Sequence, residues 1–157
     1  MQQAVVGIGS PRVTLFDQVT PFPAPQLVSD ALEACRQSSS QVVVAIGGGS
    51  VIDVGKIVSI LTTHEGACQE YLTGERRISH QGVPFIAVPT TSGSSSEVTP
   101  EAAVWDWETS RSINPNHPEM FPNRAIVDPE VAMSMPKELA AVTSMDALTS
   151  AFESYWS

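Results

Sequence analysis

Positive charge is scarce: 8 Lys and Arg stand against 17 Asp and Glu in 157 residues, a net charge of −9, and the longest basic cluster is the pair Arg76-Arg77. A polyanion needs a concentrated positive surface, so nucleic acid and anionic membrane surfaces are excluded as partners. Long apolar runs are missing too. Nothing approaches the ~20 residues of a membrane helix, and the opening MQQAVVGIGSPRV has neither the basic start nor the apolar stretch of an export signal. Cysteine is limited to Cys35 and Cys68, with no C-x-x-C pair. That leaves no disulfide framework and no zinc motif, and predicts buried free thiols in a reducing cytoplasm. The three histidines, His64, His80 and His117, lie at no metal-ligand spacing from one another or from an acid, and each reads as a surface residue. A G-x-S-x-G nucleophile elbow is absent as well.

Twelve prolines and ten glycines punctuate a chain of ordinary hydrophobic content, a pattern of short elements joined by tight turns. RVTLF (12–16) reads as a strand. QLVSDALEACRQ (26–37) repeats Leu27, Val28, Ala31, Leu32 and Cys35 at helical spacing. VVVAI (42–46) is a continuous β-branched run of the kind buried on both faces of a parallel sheet, followed at once by GGGS and a helix carrying Ile52, Val54, Ile57, Val58 and Leu61 on one side. After a polar stretch (64–82), PFIAV (84–88) predicts a further strand, EAAVWDW a short extended segment, RAIVDP (124–129) another strand, and the chain from Pro136 onward a helix. Alternating strands and helices define an α/β domain with a mostly parallel sheet whose crossovers cover both faces.

Two loops carry the chemistry. In VVVAIGGGSVIDVGK a buried strand opens into Gly47, Gly48 and Gly49, which permit positive φ and close approach of a ligand, and then into a helix whose free N–H groups attract an anion such as phosphate. Ser50 and Asp53, at S-x-x-D spacing, also satisfy a variant capping box that would merely start the helix. A Walker A loop does not fit, because five residues separate Gly49 from Gly55-Lys56 and Ile57 stands where a hydroxyl should bind magnesium. The G-x-G-x-x-G dinucleotide fingerprint fails at its third glycine. The second loop, VPTTSGSSSEVTP, follows the next strand and offers Thr90, Thr91, Ser92, Ser94, Ser95 and Ser96 around Gly93. That composition suits a ribose, an amide or a diphosphate, and equally a polar surface loop. Two such loops at the carboxyl ends of two strands make the stronger case for a ligand.

AIGGGSVIDVGKIVSIL, PFIAVPTTSGSSSEVT, HPEMFPNRAIVDPEV and TSMDALTSAFESYWS, in this order, resemble the iron-containing alcohol dehydrogenase family over residues 13–157, with wording in the last two near its phosphonoacetaldehyde reductase-like branch. The resemblance implies a Rossmann-like α/β domain, a mostly parallel sheet flanked by helices, that binds NAD or NADP. Gly47, Gly48, Gly49 and Ser50 would cradle the cofactor diphosphate, with Asp53 contributed by the following helix. Thr90, Thr91, Ser94 and Ser96 would line its adenosine and nicotinamide side. In the family an all-helical second domain follows, and iron or zinc in the cleft polarises the substrate oxygen during hydride transfer.

Departures from the pattern bear on activity. The family's metal site takes an Asp and, four residues later, a His from one helix, plus two His from the helical domain. Here Asp146 fits the first position and Ser150, a poor ligand, occupies the second. Ser112, beside Arg111, falls where the family commonly has a lysine near the nicotinamide. RVTLF matches the family's second strand, so the resemblance implies a single domain, 1–157, cut short at both ends. A sheet lacking an end strand favours self-association, into a dimer or larger homo-oligomer, through the open edge or the C-terminal helix. On that helix Leu148 and Phe152 are expected to pack on the sheet, and Tyr155 and Trp156 to remain available. Three readings stay open: an NAD(P)-dependent oxidoreductase acting alone or completed by another chain, a non-catalytic nucleotide-binding or interaction module that has lost the metal site, and a ligand-free remnant held together by oligomerisation.

Overall fold

A computed structural model describes residues 12–156. The elements in order are α1 (Pro25–Gln37), β1 (Val43–Gly47), α2 (Gly49–Leu61), α3 (Cys68–Leu72), β2 (Phe85–Pro89), β3 (Val104–Asp106), β4 (Arg111–Ile113), β5 (Arg124–Ala125), α4 (Pro129–Ala132) and α5 (Lys137–Tyr155). β1, β2 and β5 form a parallel sheet with β2 in the middle, in the register Val43↔Phe85 through Gly47↔Pro89. β3 and β4 make a separate antiparallel pair. The α/β class with a parallel sheet flanked by helices is therefore the observed one.

α2 owes its position to being apolar nearly all round, with Ile52, Val54, Ile57, Val58, Ile60 and Leu61 all buried. It presses against β1 and β2, and α1 packs behind it through Val28, Ala31, Leu32 and Cys35. Arg36 of α1 then closes the end of α2. Its guanidinium donates to the carbonyl of Leu61 (2.9 Å), the last residue of α2, and to those of His64 (2.5 Å) and Gly66 (3.1 Å) in the loop that follows.

Several expectations need correction. RVTLF forms no strand: residues 12–20 are irregular, Val13 and Leu15 are exposed, and only Phe16 and Val19 pack against the core. The alternating pair Val13 and Leu15 faces outward, and no ladder partner is engaged among the described residues. β1 is buried on one face, not two. Ala45 and Gly47 face α2, whereas Val44 and Ile46 on the opposite side remain 43% and 49% exposed. Pairing at RAIVDP covers two residues, extended by Ile126 N–H donating to Ala87 O (2.8 Å), and the polar 64–82 stretch contains α3. On α5 no described residue is buried, and Leu148 and Phe152 are about half exposed instead of packed on the sheet. His64, expected at the surface, is buried, while His80 is exposed and stacks on it with ring centroids 3.8 Å apart. Both cysteines are free and buried, as expected. No helix among the described residues is long and apolar enough to cross a membrane.

Candidate functional site

Parallel register brings the carboxyl ends of β1 and β2 side by side, so the glycine turn after Gly47 and the hydroxyl loop after Pro89 emerge together. Thr90 N–H donates to Gly47 O at 2.9 Å and fastens one to the other. The glycines are required by proximity. A Cβ on Gly47 would fall 2.6 Å from Val51 Cβ, one on Gly48 3.2 Å from Thr91 Oγ1, and one on Gly49 2.7 Å from Ser94 Oγ. Positive φ is not their reason: Gly48 is extended at φ −76°, ψ −177°, and the left-handed glycines among the described residues are Gly66 and Gly74. A conformation that any residue adopts has become glycine because two loops meet there.

α2 begins at Gly49 with Gly48 as its cap residue and no side-chain cap, so Ser50 and Asp53 do not form a capping box. The N–H groups of Gly49 and Ser50 lie in the first turn, where no intrahelical acceptor exists, and the positive end of a 13-residue helix adds to their pull on an anion. Half-buried Thr91 and exposed Ser94 stand beside this turn, and half-buried Thr90 is tied to it through its N–H. Gly47, Gly48, Gly49, Ser50, Thr90, Thr91 and Ser94 are thus brought together into one polar mouth at the ends of β1 and β2, whose N–H and hydroxyl groups are of the kind that donate to phosphate and sugar oxygens.

Asp53 and Ser96 lie beneath the mouth and bind each other. Ser96 Oγ donates to Asp53 Oδ1, and Asp53 Oδ2 accepts the Ala103 N–H at 3.0 Å. Lys56, wholly buried, donates to Ser96 Oγ (2.9 Å), Thr99 Oγ1 (3.0 Å) and Glu101 O (2.6 Å), with Asp53 Oδ1 at 3.5 Å. Burial lowers the Lys56 pKa from its ordinary value, and the attraction of Asp53, Glu101 and Glu97 opposes that. Sequence reasoning met Lys56 only as a failed phosphate-loop lysine. The available signal was Asp-x-x-Lys on an otherwise apolar helix, since a charge there needs a partner.

Asp146 and Ser150 lie one turn apart on exposed α5, and Ser112 lies with Arg111 on exposed β4. α5 crosses the hydroxyl loop close to Asp146: a Cβ on Gly93 would fall 2.7 Å from Thr143 O. One carboxylate and one neutral hydroxyl do not make a site for iron or zinc, and no group of three or more His, Cys, Asp or Glu among the described residues is gathered for a metal ion. These residues do not fit the family's metal as they stand.

Known proteins match this architecture closely. The family model for iron-containing alcohol dehydrogenase matches residues 4–129. The 4-hydroxybutyrate dehydrogenase of Cupriavidus necator is 36% identical over 157 residues, covering 98% of this chain and 41% of its own length. Long-chain-alcohol dehydrogenase 1 of Geobacillus thermodenitrificans is 37% identical over 145 residues, 91% of this chain and 36% of that one. Among solved structures, sulfoacetaldehyde reductase from Bifidobacterium kashiwanohense in complex with NAD+ superposes with a TM-score of 0.86 at 33% identity, covering 92% of this chain and 39% of that chain. The chain therefore spans about two-fifths of the length of such relatives. With the family model matched over most of its residues and the two strand-end loops in place, this chain belongs to the iron-containing alcohol dehydrogenase family.

Proposed function

We propose that the chain is the dinucleotide-binding part of an NAD-dependent alcohol or aldehyde oxidoreductase. One observation carries the reading: the glycine turn and the hydroxyl loop meet at the ends of adjacent parallel strands, over the N-terminus of α2. The N–H groups of Gly49 and Ser50 bind the diphosphate, and Thr90, Thr91 and Ser94 donate to the rest of the dinucleotide. The similarity to a reductase solved with NAD+ supports NAD over NADP as the cofactor. Nicotinamide, when bound, supplies the hydride acceptor or donor. The protein's share is to orient it and to hold its phosphates where N–H groups replace water. Turnover by this chain alone is not expected, because among the described residues no group of three or more His, Cys, Asp or Glu gathers to hold the metal that would polarise a substrate oxygen.

Calorimetric titration with NAD+, NADH and NADPH, with and without ferrous iron or zinc, tests this reading. Binding of NADH without metal uptake supports it. No binding of any of the three at millimolar concentration refutes it.

A second reading, a non-catalytic module that associates with copies of itself, is favoured by the exposed apolar run Met145, Leu148, Phe152, Tyr155 and Trp156 on and after α5. Sedimentation distinguishes it: a dimer that dissociates on Trp156→Ser supports association through this face, and a monomer at high concentration rejects it.

A further inference from the structure

We propose that Lys56 is a positioning residue: its buried ammonium, paired with Asp53, braces the segment 94–103 against α2 and so sets the shape of the mouth formed with the glycine turn. Lys56 is 0% exposed, so it touches no ligand in the mouth. Beyond Asp53, its contacts reach into the end of the hydroxyl loop and the residues just after it. Three N–H donors find Ser96, Thr99 and the Glu101 carbonyl, all at 3.0 Å or less, and Asp53 takes the far end through the Ala103 N–H. Two side chains one turn apart on α2 therefore grip Ser96, Thr99, Glu101 and Ala103.

The far end of that segment is also tied to residues 115–117, through Ala102 N–H to Pro115 O (3.1 Å) and His117 N–H to Pro100 O (3.2 Å), and Ala102 is buried in the core, so it is the stretch 94–99 that depends most on the grip from α2. It contains one 3-10 turn, Ser96–Val98, entered through Ser95 in the left-handed region at φ 53°. Ser94, two residues before Ser96, is the side chain that a Cβ on Gly49 would strike, so movement at Ser96 is transmitted to the mouth. If packing alone were required, a methionine would fill the same space without the desolvation of an ammonium. What methionine lacks is three directed donors, which suit a loop whose carbonyl and hydroxyls need fixed partners. The consequence for binding rests on the dinucleotide reading above, while the brace itself does not.

The full chain is made as Lys56→Met and as Asp53→Asn/Lys56→Met, the double variant keeping an acceptor for the Ala103 N–H and no unpaired buried charge. Three quantities are read: hydrogen exchange across 90–103, the dissociation constant of NADH, and the emission of bound NADH at saturation. The expected result is at least tenfold faster exchange confined to 94–103, at least tenfold weaker NADH binding, and bound emission moved toward that of free NADH. In the double variant these changes accompany an unfolding midpoint near that of the parent, which a merely structural role would not combine. Unchanged exchange in 94–103 in the double variant overturns the brace. Lost affinity with unchanged exchange overturns it too, since Lys56 would then act on the ligand by another route. Should the parent bind no NADH, the dinucleotide reading falls, and the exchange measurement alone decides the brace.

Discussion

Gly55 sits on α2 where the helix meets the sheet, and replacing it with alanine sets two effects of known size against each other. Alanine favours a helix interior over glycine by about 1 kcal/mol. The added Cβ, however, would lie 2.7 Å from Phe85 Cε2, 2.9 Å from Ala45 Cβ and 3.0 Å from Phe85 Cζ. Carbon atoms pack best at roughly 3.5 to 4.0 Å, so the overlap is close to 1 Å. Neither neighbour can turn aside: Phe85 is 2% exposed and Ala45, whose Cβ is fixed to the backbone of β1, is 5% exposed. Overpacking of this kind costs ~1 to 3 kcal/mol, and two contacts at once place Gly55→Ala toward the upper end. The net expectation is a loss of about 1 to 2 kcal/mol. For a chain of this length that lowers the melting temperature by roughly 2 to 8 °C, with a matching fall in the urea midpoint and no change in slope. In a Phe85→Leu background, where the ring is gone, the same substitution should cost less, giving a coupling energy of about 1 kcal/mol in a double-mutant cycle. A Gly55→Ala protein more stable than its parent by about 1 kcal/mol would refute the packing argument, because helix propensity alone would then account for the site.

Other predictions are more local. Gly49→Ala, whose Cβ would meet the movable Ser94 Oγ at 2.7 Å, should leave stability within about 0.5 kcal/mol while weakening NADH binding in a calorimetric titration, by displacing that hydroxyl. Cys68, its thiol pushed up to about 11 by burial, has about one thiolate in a thousand at pH 8, so iodoacetamide should label it only after unfolding. Stability should fall as pH drops below about 6.5, because burial lowers the His64 pKa in the folded protein, aided by His80, His117 and Arg36 and opposed by the Ile60 carbonyl. Ser79 N–H donates to His64 Nε2 at 3.1 Å, so the ring carries its proton on Nδ1 toward Ile60 O (2.8 Å), and a second proton removes the Ser79 acceptor. The unfolded chain binds that proton first, giving a slope of at most ~1.4 kcal/mol per pH unit, which His64→Gln should flatten in urea titrations between pH 7.5 and 5.5.

The central β1–α2–β2 unit was legible because its signals are local: a five-residue apolar run with four β-branched residues (42–46), a glycine turn, and a helix apolar on nearly every side. Where the outcome depends on a distant partner, sequence reading failed. RVTLF has the alternation of a strand, yet pairing needs an engaged neighbour, and composition cannot supply one. His64 follows a helix in the polar context TTHEG and looked exposed, but its ring is held by the Ile60 carbonyl one turn back and by Ser79, 15 residues on. α5 carries apolar residues at helical spacing, which established the helix without saying what, if anything, covers it.

The candidate site divides along the same line. Gly48, Gly49, Ser50, Thr90, Thr91 and Ser94 surround the mouth, whereas Asp53 and Ser96, equally polar and equally close in sequence, turn downward to each other and to Lys56. Position by position the two groups look alike, since each consists of small polar residues just past the end of a strand. They separate when hydrogen-bond partners are traced: Asp53 Oδ1 accepts from Ser96, Oδ2 accepts from Ala103, and Lys56 donates to Ser96, Thr99 and Glu101, so buried Ser96 and Lys56 are committed within the protein and Asp53 keeps only part of its acceptor capacity. A polar residue near a binding loop is therefore a ligand contact only if its own bonds are unspent. By that test the N–H groups of Gly49 and Ser50 at the start of α2 are better placed to meet the dinucleotide proposed above than the Asp53 carboxylate.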